Sequence, residues 1–271
     1  MWKEGYTTGK DGVRIFYRML EKKGPWVVFV HGGTGCVSAL FKQQDFFSKR
    51  DLSLLFIDLR GHGNSDHGSG EEFFKISNFA ADINAVLIHL GIRKATLIGH
   101  CFGSFVVQEF ARDYAEKVER LVLINSADHI MKSRLMELAY LAFFWLLRLV
   151  PYKGRKGHGD YTRIIGSMDV SPRRVYTDIK YCGFETYSEV MVESLKFMSP
   201  IRKGFRKPTL LIHGKKDFLI SYKRTIELGR LFRNPKIVLL NTNHVAVIND
   251  AKNVNIAILD FLTKRKKFLK D

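Results

Sequence analysis

The chain has 271 residues, 46 % of them hydrophobic and 13 % aromatic, with a formal net charge of +17. That length buries about three quarters of the unfolded surface and fits one large α/β domain or a core with an insertion, and the composition excludes disordered, collagen-like and Pro-rich classes. Three cysteines (Cys36, Cys101, Cys182) without CxxC spacing give no disulfide framework, and nine histidines without HExxH spacing give no metal motif, so neither metal nor organic cofactor is expected.

The first 20 residues, MWKEGYTTGKDGVRIFYRML, carry charges where a secretory signal needs its apolar run, and a cytoplasmic location is expected. Val13–Met19 reads as an antiparallel edge strand. From there, short and nearly continuous apolar runs alternate with helical periodicity, the pattern of parallel βαβ units with helices on both faces. The expected strands are Trp26–Val30, Leu54–Asp58, Ala95–Ile98, Leu121–Ile124, Thr209–Ile212 and Ile237–Leu240. Helical patterns fall at Ile76–Leu90, Ser104–Tyr114, Tyr222–Leu231 and Asn253–Lys267. Residues 127–199 interrupt the alternation and are too many for a loop. They read as a helical cap inserted into a core of residues 1–126 and 200–271.

Chemistry gathers where strands end. After the first core strand, His31-Gly-Gly-Thr-Gly35 forms a glycine-rich turn that can aim the Gly33 N–H at an oxyanion. It lacks both GxGxxG and a GK[ST] ending, which argues against a phosphate loop. After the third, Gly99-His-Cys101-Phe-Gly103 leads straight into a helical pattern. Glycines two before and two after Cys101 let a strand turn abruptly into a helix and hold the central side chain out on a strained corner. The start of the helix favours a thiolate there, and the Phe102 N–H supplies a second oxyanion donor. His244 follows the last strand, and Asp217 follows the strand before it. Asp128, just past Leu121–Ile124, is the alternative acid; His31 and His100 read as packing residues, and Cys36 and Cys182 as plain hydrophobes.

Together with Arg60-Gly-His-Gly63-Asn-Ser-Asp66, which looks like the family's R-G-x-G-x-S turn, these motifs resemble the α/β-hydrolase family in the order nucleophile, acid, histidine. The resemblance covers the chain apart from the cap. It implies a mostly parallel sheet with helices on both faces, and a triad of Cys101, Asp217 and His244 with Gly33 and Phe102 as oxyanion hole. Arg60, Gly61, Gly63, Ser65 and Asp66 are then a structural turn. Most relatives carry serine at the elbow; cysteine there is similar to dienelactone hydrolases and polyhydroxyalkanoate synthases. The expected activity is cleavage of an ester or thioester of a hydrophobic acyl group through a Cys101 acyl-enzyme. The alternatives are acyl transfer from the same intermediate, or a non-catalytic ligand-binding member of the fold.

The amphipathic run Met131–Val150 is apolar on more than one face, so the core, the substrate or a membrane surface must cover it. Its most apolar stretch, Leu138–Val150, is interrupted by Arg148 and is too short to span a bilayer. Basic residues cluster nearby (Lys153, Arg155, Lys156, Arg163, Arg173, Arg174) and at Lys264–Lys267, the composition of a solvated face. The charge also suits an anionic or carrier-bound acyl substrate or peripheral membrane contact; no nucleic-acid motif accompanies it, and none is expected as a partner.

Overall fold

The computed structural model describes residues 1–130 and 133–263. Eight strands form one sheet: β1 (Lys3–Thr8), β2 (Arg14–Leu20), β3 (Trp26–Val30), β4 (Ser53–Ile57), β5 (Ala95–His100), β6 (Val118–Ile124), β7 (Thr209–Gly214) and β8 (Lys236–Leu240). Their order is β1-β2-β4-β3-β5-β6-β7-β8. The β1–β2 and β2–β4 pairs are antiparallel and the other pairs parallel. Each expected strand is present. Val13–Met19 is antiparallel as expected but is not the edge, because β1 pairs along its outer side. The sequence KEGYTT hides that strand: an edge exposed on both faces needs no apolar run.

Helices α1 (Phe41–Ser48) and α8 (Ala251–Thr263) cover one face of the sheet, and α2 (Ile76–His89) and α3 (Phe102–Asp113) the other. Phe79, Phe102, Phe105 and Phe110 fill one interface, and Phe29, Phe47, Phe56 and Ile258 the opposite one. The Lys264–Lys267 part of the expected last helix lies outside the described residues. Between β6 and β7 run α4 (Arg134–Leu147) and α5 (Pro172–Lys196), the latter broken at Gly183 (φ 80°); Met131 also lies outside the described residues. A short helix α6 (Tyr222–Gly229) joins β7 to β8, and a single turn, α7 (Ala246–Asn249), precedes α8.

Register decides where the chemistry lands. Val30 lies beside both Ile57 and Gly99, Gly99 beside Leu123, Ile124 beside Ile212, and Gly214 beside Leu240. The parallel strands therefore end level, and the loops after β3, β5, β7 and β8 leave from one edge. The R-G-x-G-x-S segment is the structural turn expected of it. Ser65 Oγ donates to the Asp58 carbonyl and accepts the Phe16 N–H, tying β2 to the end of β4. Arg60 is fully buried and forms a two-pronged pair with Asp82 of α2, Nε to Oδ2 at 2.7 Å and Nη2 to Oδ1 at 2.8 Å.

Candidate active site

At the end of β5 the backbone turns through Cys101 (φ 51°, ψ −122°), and α3 begins at the next residue. A non-glycine residue held there costs about 1–3 kcal/mol, so its surroundings must enforce the conformation. The flanking glycines do so by close approach. A Cβ on Gly99 would lie 2.3 Å from the Gly103 carbonyl oxygen, and one on Gly103 would lie 2.3 Å from that of His31. The helix is thereby drawn against both the strand and the glycine-rich loop.

His244 and Asp217 meet at this corner. Nδ1–H of His244 donates to Asp217 Oδ2 at 2.7 Å. The same oxygen accepts from Asn125 Nδ2 at 2.7 Å, while Oδ1 accepts the backbone N–H groups of Leu219 and Ile220 at 2.9 and 2.8 Å. Burial opposes the Asp217 charge, but His244, and then His213, whose Nε2 lies 3.1 Å from Oδ2, outweigh it and hold the carboxyl far below its usual range. The other ring nitrogen of His244, Nε2, is buried with no hydrogen-bond partner among the described residues. Burial lowers this imidazole, yet the Cys101 sulfur and Asp217 together raise it strongly. Reciprocally, burial raises the Cys101 thiol, and His244, then Arg174 and the Phe102 N–H, bring it below its ordinary value. Both shifts favour a thiolate beside an imidazolium. Asp128, the alternative acid, instead faces His129 at 3.0 Å and Arg224 at 4.0 Å.

Gly33 and Phe102 adjoin one another: a Cβ on Gly33 would come within 3.1 Å of the Phe102 Cβ. The Gly33 N–H donates to no protein group among the described residues. His31 is the packing residue expected. Its Nδ1–H donates to the Gly32 carbonyl at 2.8 Å and its Nε2 accepts from the Leu59 N–H at 3.1 Å, pinning the glycine loop. His100 donates from Nε2 to the His244 carbonyl at 2.9 Å, and burial lowers it to about 3, so it stays neutral. Burial drives Cys36 up to about 12 and Cys182 well above the ordinary thiol value. Treatment with iodoacetamide near neutral pH should therefore give one adduct, at Cys101. Because the Cys101 thiol is lowered, its labelling should persist below the pH at which a free thiol stops reacting. Peptide mass spectrometry reads this directly; labelling of Cys36 or Cys182 at an equal rate would contradict it.

Four residues between β6 and β7 reach the site without any motif to announce them. The Asp178 carboxylate, fully covered, takes hydrogen bonds from Thr34 Oγ1 at 2.9 Å and Tyr161 OH at 2.8 Å; burial lifts it to about 6 against the pull of Arg174. The sequence places Arg174 in a solvated basic cluster, but its guanidinium lies 3.5 Å from Asp178 and lines a pocket with Gly32, Gly33 and His100. The remaining walls are largely aliphatic, among them Leu40, Ile164, Val247 and Ile248. Asp169 accepts the His244 N–H on Oδ1 and the Phe218 N–H on Oδ2, each at 2.7 Å. The contacts with Thr34, Phe218 and His244 are long-range, and sequence spacing carries no trace of them; only Arg174–Asp178 has helical i,i+4 spacing.

The sequence profile of the alpha/beta hydrolase fold matches residues 25–160. A non-heme haloperoxidase from Rhodococcus erythropolis is 27 % identical over 280 residues, covering 95 % of this chain and 98 % of that one. Epoxide hydrolase 3 from Xenopus tropicalis is 26 % identical over 287 residues, covering 96 % and 78 %. Among solved structures, an enol-lactonase from Burkholderia xenovorans superposes with a TM-score of 0.76 at 21 % identity, covering 96 % of this chain and 100 % of that one, a likeness of fold. Three differently named chemistries share the architecture, so the reaction must be argued from the site. With its level strand ends, its elbow and the profile match, the chain belongs to the alpha/beta hydrolase fold family and is an enzyme of that family.

Proposed function

We propose that this protein hydrolyses an ester or thioester of a hydrophobic acyl group through a Cys101 acyl-enzyme, with the segment between β6 and β7 acting as a cap over the acyl pocket. One observation carries the reading. The only lowered thiol of the chain's three sits on the strained corner, beside a histidine paired to a carboxylate and beside two N–H groups suited to an oxyanion.

The chemistry follows from those positions. The Cys101 thiolate attacks the carbonyl carbon, and the oxygen that gains the electron pair is received by the Gly33 and Phe102 N–H groups. His244 gives its Nε2 proton to the departing alcohol or thiol as the carbon–leaving-group bond breaks, leaving an acyl-thioenzyme. The neutral imidazole then takes a proton from water, the hydroxide oxygen attacks the same carbonyl, and the carbon–sulfur bond breaks to return the thiolate. Asp217 stays ionised throughout and fixes the ring so that Nε2 faces the sulfur. Aliphatic pocket walls suit an apolar acyl chain.

The thiolate also separates this reading from the relatives' names. Attack on an epoxide would break a carbon–oxygen bond and leave a β-hydroxy thioether, which has no carbonyl for water to attack, so the thiolate would not be returned. Peroxide, the oxidant of haloperoxidase chemistry, converts an accessible thiolate to sulfenic acid. Incubation with short p-nitrophenyl esters and acyl thioesters tests the proposal. The protein should turn over both and Cys101→Ala neither, with an acyl adduct trapped on Cys101 by mass spectrometry. A Cys101→Ala variant as active as the parent refutes it. Products carrying the acyl group on an added alcohol, amine or thiol would assign transfer to the same intermediate.

A further inference from the structure

Helix α4 is built inside out. The stripe that is half covered runs through Glu137, Leu141, Phe144 and Arg148. It meets α5 through the Arg148–Glu189 ion pair at 2.8 Å and the ring of Tyr187, 6.3 Å from that of Phe144. Its charged residues therefore sit on or beside the packed side. The opposite side is apolar: Leu135, Phe143 and Leu146 are each more than half exposed there, Leu138 and Trp145 at its flank are as exposed, and no residue of the helix is buried. In a helix that has only water beyond it, the two sides would be reversed.

We propose that this outward face of α4 docks on an anionic membrane surface. Length decides the mode of contact. Fourteen residues at ~1.5 Å each reach about 21 Å, short of the roughly 30 Å hydrocarbon layer, and both ends return to the fold, so the helix lies flat on the surface. Among the described residues, no helix is long and apolar enough to cross a membrane.

Charge decides the occupant. Arg134 opens the helix, and Lys153 and Arg155 follow it closely; all three are exposed and pair with no carboxylate among the described residues. A second copy of a chain of charge +17 would bring the same cations against them, whereas phosphate headgroups complement them. Trp145, half exposed at the flank of the helix with the Arg148 guanidinium over its ring at 5.6 Å, is a residue type that settles at the headgroup level. The docking does not depend on the chemistry at Cys101.

The test is co-sedimentation of the full-length protein with phosphatidylcholine vesicles, with and without phosphatidylglycerol. The parent should sediment with the anionic vesicles, less so in high salt, and brominated lipid should quench Trp145. Leu138→Glu/Phe143→Glu places two carboxylates on the outer face and should lower partitioning by more than about tenfold. Lys153→Glu/Arg155→Glu should remove the preference for anionic lipid. Circular dichroism confirms that each variant is folded, since all four side chains are exposed. Three results overturn the proposal: no sedimentation of the parent, equal sedimentation of the Leu138→Glu/Phe143→Glu variant, or a concentration-dependent dimer that this variant dissolves without any vesicle binding.

Discussion

Asp217→Asn is expected to lower kcat on a p-nitrophenyl ester by about 10³–10⁴-fold, whereas Asp128→Asn should leave it within a few-fold. The carboxylate accepts a proton-bearing Nδ1 at 2.7 Å, and an amide in its place can present an N–H there instead. The imidazole would then carry its proton on Nε2 and face the sulfur with the wrong tautomer. Asp217 also raises His244 and so helps keep the thiolate formed. The variant should therefore lose thiolate at a higher pH than the parent, and iodoacetamide labelling of Cys101 across pH reads that shift without turnover. Asp128 makes its contacts with His129 and Arg224, remote from the histidine. A larger loss with Asp128→Asn than with Asp217→Asn would reassign the acid.

The second large effect concerns stability. Arg60→Met should destabilise the fold by about 3–5 kcal/mol in urea unfolding, because it leaves the Asp82 carboxylate buried without its partner. Burial already raises Asp82 despite the guanidinium, so the uncompensated charge has no solvent to fall back on. Arg60 also donates to the Phe73 carbonyl at 3.1 Å and lies over the Phe73 ring, 4.9 Å from its centroid. Arg60→Lys restores the charge but not the two-pronged geometry, and should recover only part of the loss. Replacing both partners by apolar residues should cost less than Arg60→Met alone, which a double-mutant cycle measures.

What could be read from the sequence is what local geometry dictates. Gly99 and Gly103 are legible because a strand-to-helix corner leaves no room for a Cβ at either place. Asp217 and His244 are legible because each directly follows a strand of a parallel sheet, and such strands end on one edge. Asp169 and Asp178 are not, since the groups they hold at the site, His244 and Thr34, lie far away along the chain; the Arg174–Asp178 pair has helical i,i+4 spacing, but nothing in that spacing says that it faces the site. The polar strand β1 escaped because an edge strand has little to bury. Helix α4 shows a different limit. Its apolar residues are spread round most of its circumference, so periodicity identifies the helix but cannot say which side meets the protein.

Under the proposed chemistry, Asp169 would give the segment between β6 and β7 a hold on proton transfer. One of its oxygens takes the backbone N–H of His244, and the other takes that of Phe218, next to Asp217. The base and its orienting acid are thus strapped to each other twice, once through their side chains and once through a carboxylate that belongs to neither loop. If that segment lifts, both straps on the backbone are released together, and the imidazole loses its alignment with the sulfur before any reacting atom is touched. In that chemistry, the alignment of the imidazole would thus depend on a residue that touches no reacting atom.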